Sequence, residues 1–225
     1  KFREEHRGRL NEQAASPWMF DPWNRKWHRL RTAERSPGSG YGHVLFFIPS
    51  QRKLFYWTPR AVSYYDPARN SWQSVTTTGP PPPFGIDPTA CHDPGRDRVY
   101  IAGGKYPVAK GNNAFWYFDI AKRQWVNPEP GGSPGSNSYG TNVAMLACDS
   151  SRDRVYLFRH REDVRGLYVY DVARNAWRSK PIPLPRMWQQ RVGAGGFFHP
   201  GLGVQFVFTA NDSRDNGRIL VYRPD

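Results

Sequence analysis

The chain reads as an all-β protein, four-stranded antiparallel blades repeated along the sequence as in a β-propeller. Three observations predict this. Gly and Pro number 21 each among 225 residues, a density that leaves no room for long helices because both residues interrupt them. An aromatic-Asp pair followed by Trp six residues after the Asp occurs four times, at Phe20-Asp21 with Trp27, Tyr65-Asp66 with Trp72, Phe118-Asp119 with Trp125 and Tyr170-Asp171 with Trp177. A turn followed by a short apolar run also recurs, strongest as Arg96-Asp97-Arg98-Val99-Tyr100 and Arg152-Asp153-Arg154-Val155-Tyr156, weaker at Lys53-Leu54-Phe55 and Val204-Gln205-Phe206.

The elements follow in order. Residues 1–15 open on Lys1-Phe2-Arg3-Glu4-Glu5-His6-Arg7 and read as a charged arm or linker. Residues 16–30 hold the third and fourth strands, C and D, of a partial blade. Full blades follow at about 41–76, 86–127 and 142–180, and residues 191–223 supply strands A, B and C of another. Both ends bring a strand C, so they do not merge into one blade. The expectation is therefore part of a six- or seven-bladed ring.

Within a blade, strand A is rich in small and apolar residues, as in Thr141–Leu146 and Arg191–Phe197, which suits an inner strand crowded by its neighbours. A hairpin turn leads to strand B, at Asp93-Pro94-Gly95 and Asp149-Ser150-Ser151 for example. The aromatic-Asp pair ends strand C, where the carboxylate can cap the C–D turn by accepting from backbone N–H groups. Trp on strand D offers a large apolar plate for stacking blade on blade. Asp21, Asp66, Asp119 and Asp171, with Trp27, Trp72, Trp125 and Trp177, are thus assigned to architecture rather than chemistry.

This pattern resembles the kelch repeat, whose period lies near 50 residues. Trp-to-Trp spacings of 45, 53 and 52 fit that period. Gly103-Gly104, closing strand B after Val99-Tyr100-Ile101-Ala102, matches the family's diglycine; Thr58-Pro59, Arg159-His160 and Thr209-Ala210 depart from it. The resemblance spans roughly residues 16–223. It implies a kelch-type β-propeller of the galactose-oxidase-like superfamily, specific for fold and weak for function.

Composition bounds the chemistry. Lys and Arg total 32 against 19 acids, a net charge of +13 that points to acidic partners rather than to a fold. No apolar run is long enough for a membrane span. Cys91 and Cys148 occupy nearly matching places in adjacent repeats and read as a repeated small apolar position, too few for a disulfide scaffold. The six histidines show no metal-ligand spacing. No nucleophile elbow or phosphate loop occurs. No cofactor is called for. Asn211–Gly217 carries carboxylates that invite calcium but lack the ordered spacing of a calcium loop. The galactose oxidase resemblance raises copper, but its tyrosine and histidine set does not map here residue by residue. The protein is read as non-enzymatic, with an extracytoplasmic, secreted or periplasmic location.

The functional signal lies in the connections. B–C and D–A loops emerge on one face of a propeller, and here they diverge while the scaffold repeats. Loops on a rigid scaffold are where binding concentrates. The candidate binding residues are Lys105, Tyr106, Lys110, Asn112 and Asn113; Arg159, His160 and Arg161; Tyr139; Arg186 and Trp188; and Arg214. Arg, Tyr and Trp are the types enriched at binding hot spots. The expected role is a protein-interaction scaffold, a subunit of a larger assembly. The alternative is a carbohydrate-binding or carbohydrate-oxidising propeller, with an anionic glycan as ligand. Nucleic acid ranks last, since Arg161-Glu162-Asp163 and similar runs break up any basic stripe.

Overall fold

The computed structural model describes residues 18–30, 32, 37, 43–58, 61–83, 86–105, 115–132, 144–159, 166–180, 194–209 and 218–224. All regular structure among them is strand, in five antiparallel sheets. The first pairs β1 (Trp18–Asp21) with β2 (Lys26–Arg29). The second orders β3 (Val44–Ile48), β4 (Lys53–Thr58), β5 (Ala61–Asp66) and β6 (Ser71–Val75). The third holds β7 (Ile86–Asp93), β8 (Arg98–Lys105), β9 (Phe115–Asp119) and β10 (Gln124–Val126). The fourth holds β11 (Ala144–Asp149), β12 (Arg154–Arg159), β13 (Gly166–Asp171) and β14 (Ala176–Lys180). The fifth has β15 (Ala194–His199), β16 (Val204–Thr209) and β17 (Arg218–Tyr222). The chain forms two compact units, up to Thr76 and from Thr77 onward. The first unit holds two sheets and the second three.

Two repeated turns fix each sheet's register. The A–B connections are four residues each, at 49–52, 94–97, 150–153 and 200–203; so are the C–D connections, at 22–25, 67–70, 120–123 and 172–175. Each of these eight turns ends on a residue with positive φ: Arg52, Asp97, Asp153 and Gly203 in the first set, Arg25, Asn70, Arg123 and Asn175 in the second. The repeat Asp residues cap the C–D turns. Asp21 accepts from the Trp23 and Asn24 N–H groups, Asp66 from Ala68 and Arg69, Asp119 from Lys122, and Asp171 from Arg174, all within 2.9–3.2 Å. In two copies the aromatic partner adds a bond, Tyr65 and Tyr170 donating to Asn70 and Asn175 at 2.8 Å.

The Trp residues are not equivalent. Trp125 and Trp177 are buried and Trp72 is half-buried. Trp177 packs edge-on against Phe115 of the preceding sheet, centroids 4.9 Å apart, so it does join sheet to sheet. Trp27 is 66% exposed, with Phe20 beside it at 5.1 Å. In the same hairpin Trp18, Met19, Phe20 and Trp23 are also exposed.

In the second unit the sheets stack in chain order, with β7, β11 and β15 side by side. Cys91, Tyr100, Phe115, Leu146, Val155, Leu157, Tyr170 and Trp177 form one core between the third and fourth sheets. Met145, Ala147, Tyr156, Phe158, Leu167, Val169 and Val207 form the next. The seam between the third and fourth sheets is also covalent. Cys91 and Cys148 form a disulfide, Cα atoms 5.8 Å apart, so the matched cysteines are not merely small apolar fillers. Thr89 Oγ1 accepts from the Leu146 N–H at 2.9 Å, Ser150 Oγ donates to Asp93, and Arg96 pairs with Asp153.

A second seam device runs past the outer strands. The residue six beyond a repeat Trp forms a parallel bridge to a following sheet's last strand: Thr78 to Gln124, and Gly131 to Ala176. Trp125 N–H donates to the Thr78 carbonyl at 2.9 Å, and Trp177 N–H to the Gly131 carbonyl at 2.8 Å. The next residue, Gly79 or Gly132, has positive φ, and a Cβ there would lie 2.4 or 2.6 Å from the Trp125 or Trp177 carbonyl oxygen. Gly132→Ala is therefore expected to cost about 2 kcal/mol, from left-handed strain and the clash together. Gly131→Ala, whose Cβ would meet only Ala176 Cβ at 3.9 Å, serves as control and should shift stability by under about 0.5 kcal/mol. Urea unfolding checks both.

His92, on β7, is half-buried with Nε2 3.6 Å from Asp97 Oδ1. Burial holds its imidazole below the ordinary 6.5, against the opposing pull of Asp97. The folded chain thus binds this proton more weakly than the unfolded one. The stabilising contribution is full above pH 6.5 and is lost as pH falls through the lower, folded value. Thermal melts between pH 7.5 and 5 should show a steeper fall for the wild type than for His92→Gln.

Candidate functional site

The antiparallel order places the A–B and C–D turns at one end of each sheet and the B–C and D–A connections at the other. The first end is invariant, four residues per turn. At the second, the B–C connections span two residues (59–60), nine (106–114), six (160–165) and eight (210–217). Lys105 and Arg159 are the last residues of β8 and β12, so their backbones stand at this end of adjacent sheets. Tyr106, Lys110, Asn112, Asn113, Tyr139, His160, Arg161, Arg186, Trp188 and Arg214 lie outside the described residues, as do Asn211–Gly217 and the 1–15 arm.

A second site, one that sequence reasoning missed, lies between the fourth and fifth sheets. It is a cleft of about 300 Å³ lined by Arg152, Arg154, Tyr156, Val169, Arg178, Lys180, Tyr222 and Pro224. Strand alternation builds its floor. Tyr156, Val169 and Arg178 are cross-strand partners on β12, β13 and β14, and Lys180 stands two residues beyond Arg178 on the same face. Arg154 sits two residues before Tyr156. Tyr222, at the end of β17, forms the facing wall: its ring meets Phe158 at 5.8 Å and lies 5.8 Å from Lys180 Nζ.

The cleft is cationic. Four basic side chains line it, and two carboxylates stand behind them. Asp149 Oδ2 accepts from Arg152 Nη1 at 2.9 Å, and Asp171 Oδ2 from Arg154 Nη1 at 2.9 Å. Asp171 is also shared with Arg174 at 3.8 Å. These pairs fix two guanidiniums in place. Burial, with Asp149 adding to it, pushes the Tyr156 hydroxyl up to about 12, so it remains a proton donor at neutral pH. The Tyr222 hydroxyl is buried with no hydrogen-bond partner among the described residues. The signal for this site in the sequence was slight: alternating Arg154/Tyr156 and Arg178/Lys180, with nothing to say that Tyr222 would face them.

Among the described residues, no group of three or more His, Cys, Asp or Glu side chains could hold a metal ion. No helix among them is long and apolar enough to cross a membrane.

No protein-family model matches the chain. Over 195 residues it is 24% identical to Kelch repeat-containing protein 2 of Saccharomyces cerevisiae, covering 75% of this chain and 21% of that protein. Its fold is similar to that of TolB from Acinetobacter baumannii, with a TM-score of 0.56 at 9% identity over 92% of this chain and 46% of that one. It is also similar to an extracellular domain from B. thetaiotaomicron, with a TM-score of 0.53 at 14% identity over 92% of this chain and 24% of that one. The chain thus spans about a fifth to a half of the length of these proteins.

Proposed function

We propose that this chain is a stretch of divergent kelch-type propeller, part of a six- or seven-bladed ring, acting as a non-catalytic interaction module. The variable end of its sheets engages an acidic protein surface, and the module serves as a subunit of a larger assembly. The observation that carries this reading is the contrast between the two ends. Eight turns of one length and geometry hold the strands, while the B–C connections at the other end range from two to nine residues. A repeated scaffold with divergent connections is how binding surfaces are built on rigid folds. The net charge of +13 supports an acidic partner, and the name of the yeast relative supports the kelch assignment. The Cys91–Cys148 bond supports an extracytoplasmic location, since disulfides persist in oxidising compartments. The similar extracellular domain points the same way.

The test is affinity capture from the native source at low and high salt, read by mass spectrometry, with the wild type and a Lys105→Ser/Arg159→Ser/Arg161→Ser variant. A stoichiometric protein partner that survives salt and is lost or weakened at least about tenfold with the variant would support the assignment. Equal capture by both forms would remove the placement at this end. A blank, or acidic material released by salt alone, would remove the protein-partner reading.

A further inference from the structure

We propose that the outer face of the fifth sheet, the one turned away from the fourth, is the docking surface for a further sheet of the same repeat, carried by the same protein. The inference rests on the reading of this chain as a stretch of propeller, and it names the face, the partner and the contacts through which that stretch joins its ring.

The repeat supplies the comparison. Every A–B turn has four residues, so positions in different sheets are matched by counting from it. On the fourth sheet, Ala147, Tyr156 and Val169 form one cross-strand row, and Phe158 and Leu167 the next on the same face. The fifth sheet covers both rows, and each of these side chains is at most 3% exposed. On the fifth sheet the matching rows are Phe197, Phe206 and Val221, then Phe208 and Ile219. They are as apolar, yet Phe197 is 47% exposed, Phe208 37%, and Ile219 and Val221 59% each. Phe197 stacks on Phe206 at 5.1 Å and on Phe208 at 5.9 Å, so the two rows form one continuous patch. The opposite face is already packed on the fourth sheet through Val207. A contiguous apolar patch left exposed on a folded surface marks an interaction site.

The two seams already formed define what fits there. In each, the incoming sheet brings an aliphatic residue on its second strand and a tyrosine near the end of its third: Leu157 and Tyr170 against the third sheet, Val207 and Tyr222 against the fourth. The tyrosine lands on the pair that joins the second and third strands of the sheet beneath. Tyr170 meets Phe115, paired with Ala102, at 4.8 Å, and Tyr222 meets Phe158, paired with Leu167, at 5.8 Å. On the fifth sheet that pair is Phe208 and Ile219, the seat for the next sheet's aromatic. A second copy meeting this face with its own identical face would bring phenylalanine and aliphatic side chains but no tyrosine. The similar proteins also carry further chain, this one spanning about a fifth to a half of each.

The experiment is hydroxyl-radical footprinting, read by mass spectrometry, on the protein purified from its native source and on the 225-residue chain expressed by itself. In the chain by itself, Phe197, Phe208 and Val221 should be oxidised as exposed side chains are. In the native-source protein all three should be slowed about tenfold or more, as in a fully buried interface core. Trp23, 89% exposed in a C–D turn, should react equally in both. Val221→Lys adds a second readout. It should leave the urea midpoint of the chain by itself unmoved and lower that of the native-source protein by about 0.5 M or more, since only there would it bury a charge. Equal oxidation in both forms, with a native protein longer than this chain by intact mass, would overturn the docking and leave the propeller reading standing. A native protein no longer than this chain would overturn both. Protection of the chain by itself that grows over about a hundredfold range of concentration would put a second copy on the face and overturn the proposed partner. A native-source midpoint unmoved by the lysine would overturn the docking too.

Discussion

Replacing Cys91 and Cys148 by alanine is expected to lower stability by about 2–4 kcal/mol and to make unfolding insensitive to reductant. The bond joins β7 to β11, the first strands of neighbouring sheets, across a sequence separation of 57. Closing a loop of that size restricts the unfolded chain more than the folded one, which already holds the two strands side by side. Alanine is the appropriate substitute because Cys91 sits in the apolar core beside Tyr100, Phe115 and Leu146, where a hydroxyl would have to find a partner. Urea unfolding with and without dithiothreitol reads the effect. The oxidised wild type should have the highest midpoint, and the reduced wild type should fall toward the double variant. A midpoint unmoved by either change would show that noncovalent contacts alone set the seam: the Leu146–Thr89 bond, the Ser150–Asp93 bond and the Arg96–Asp153 pair.

Asp149→Ala is expected to cost about 3 kcal/mol, and Asp149→Asn about half as much. The carboxylate is 0% exposed. Its Oδ1 accepts from the Ser151 N–H at 3.1 Å, the Ser151 hydroxyl at 2.6 Å and the Arg152 N–H at 3.3 Å, while Oδ2 takes Arg152 Nη1 at 2.9 Å. Asparagine can keep the carbonyl-side bonds but not the charge-assisted one. Arg152→Ala should cost about 1–2 kcal/mol, close to Asp149→Asn, because both remove the one charge-assisted bond while the buried carboxylate keeps its three bonds within the turn. If the arginine variant proved as damaging as the aspartate variant, the ion pair rather than the capped turn would be holding the A–B hairpin. Chemical unfolding of the three variants separates these roles.

The features legible in the sequence are those that depend on neighbours along the chain. Asp66 and Asp171 cap their own turns, so the aromatic-Asp pair announced them without any knowledge of the sheets. The antiparallel hairpins follow from the same local chemistry. Features that depend on one repeat meeting the next were only half visible. Cys91 and Cys148 stood at matching places in successive repeats, and equivalent inner strands lie side by side, so the pairing was implied by the repeat and not by the cysteine count. Gly79 and Gly132, each seven residues beyond a Trp, carried a similar signal; they share their reason for being glycine only once a carbonyl of the next sheet lies against them. The cationic cleft was not legible, because Tyr222 comes to face Lys180 only through the stacking of two sheets.

The uniform four-residue turns have a consequence for how such a chain can change in length. One residue added within 94–97 or 150–153 would break a capped hairpin and slip a strand by one place, turning its inward side chains outward. Residues added within 106–114 or 160–165 need shift no strand, since the ladders and the bonds from the Ile120 N–H to the Asp97 carbonyl and from the Val172 N–H to the Asp153 carbonyl hold β8 to β9 and β12 to β13 in register at the opposite end. Insertions and deletions are therefore expected to be damaging at one end of the sheets and tolerated at the other. For an engineer the same asymmetry marks where an epitope or reporter peptide can be spliced in without refolding the strands around it.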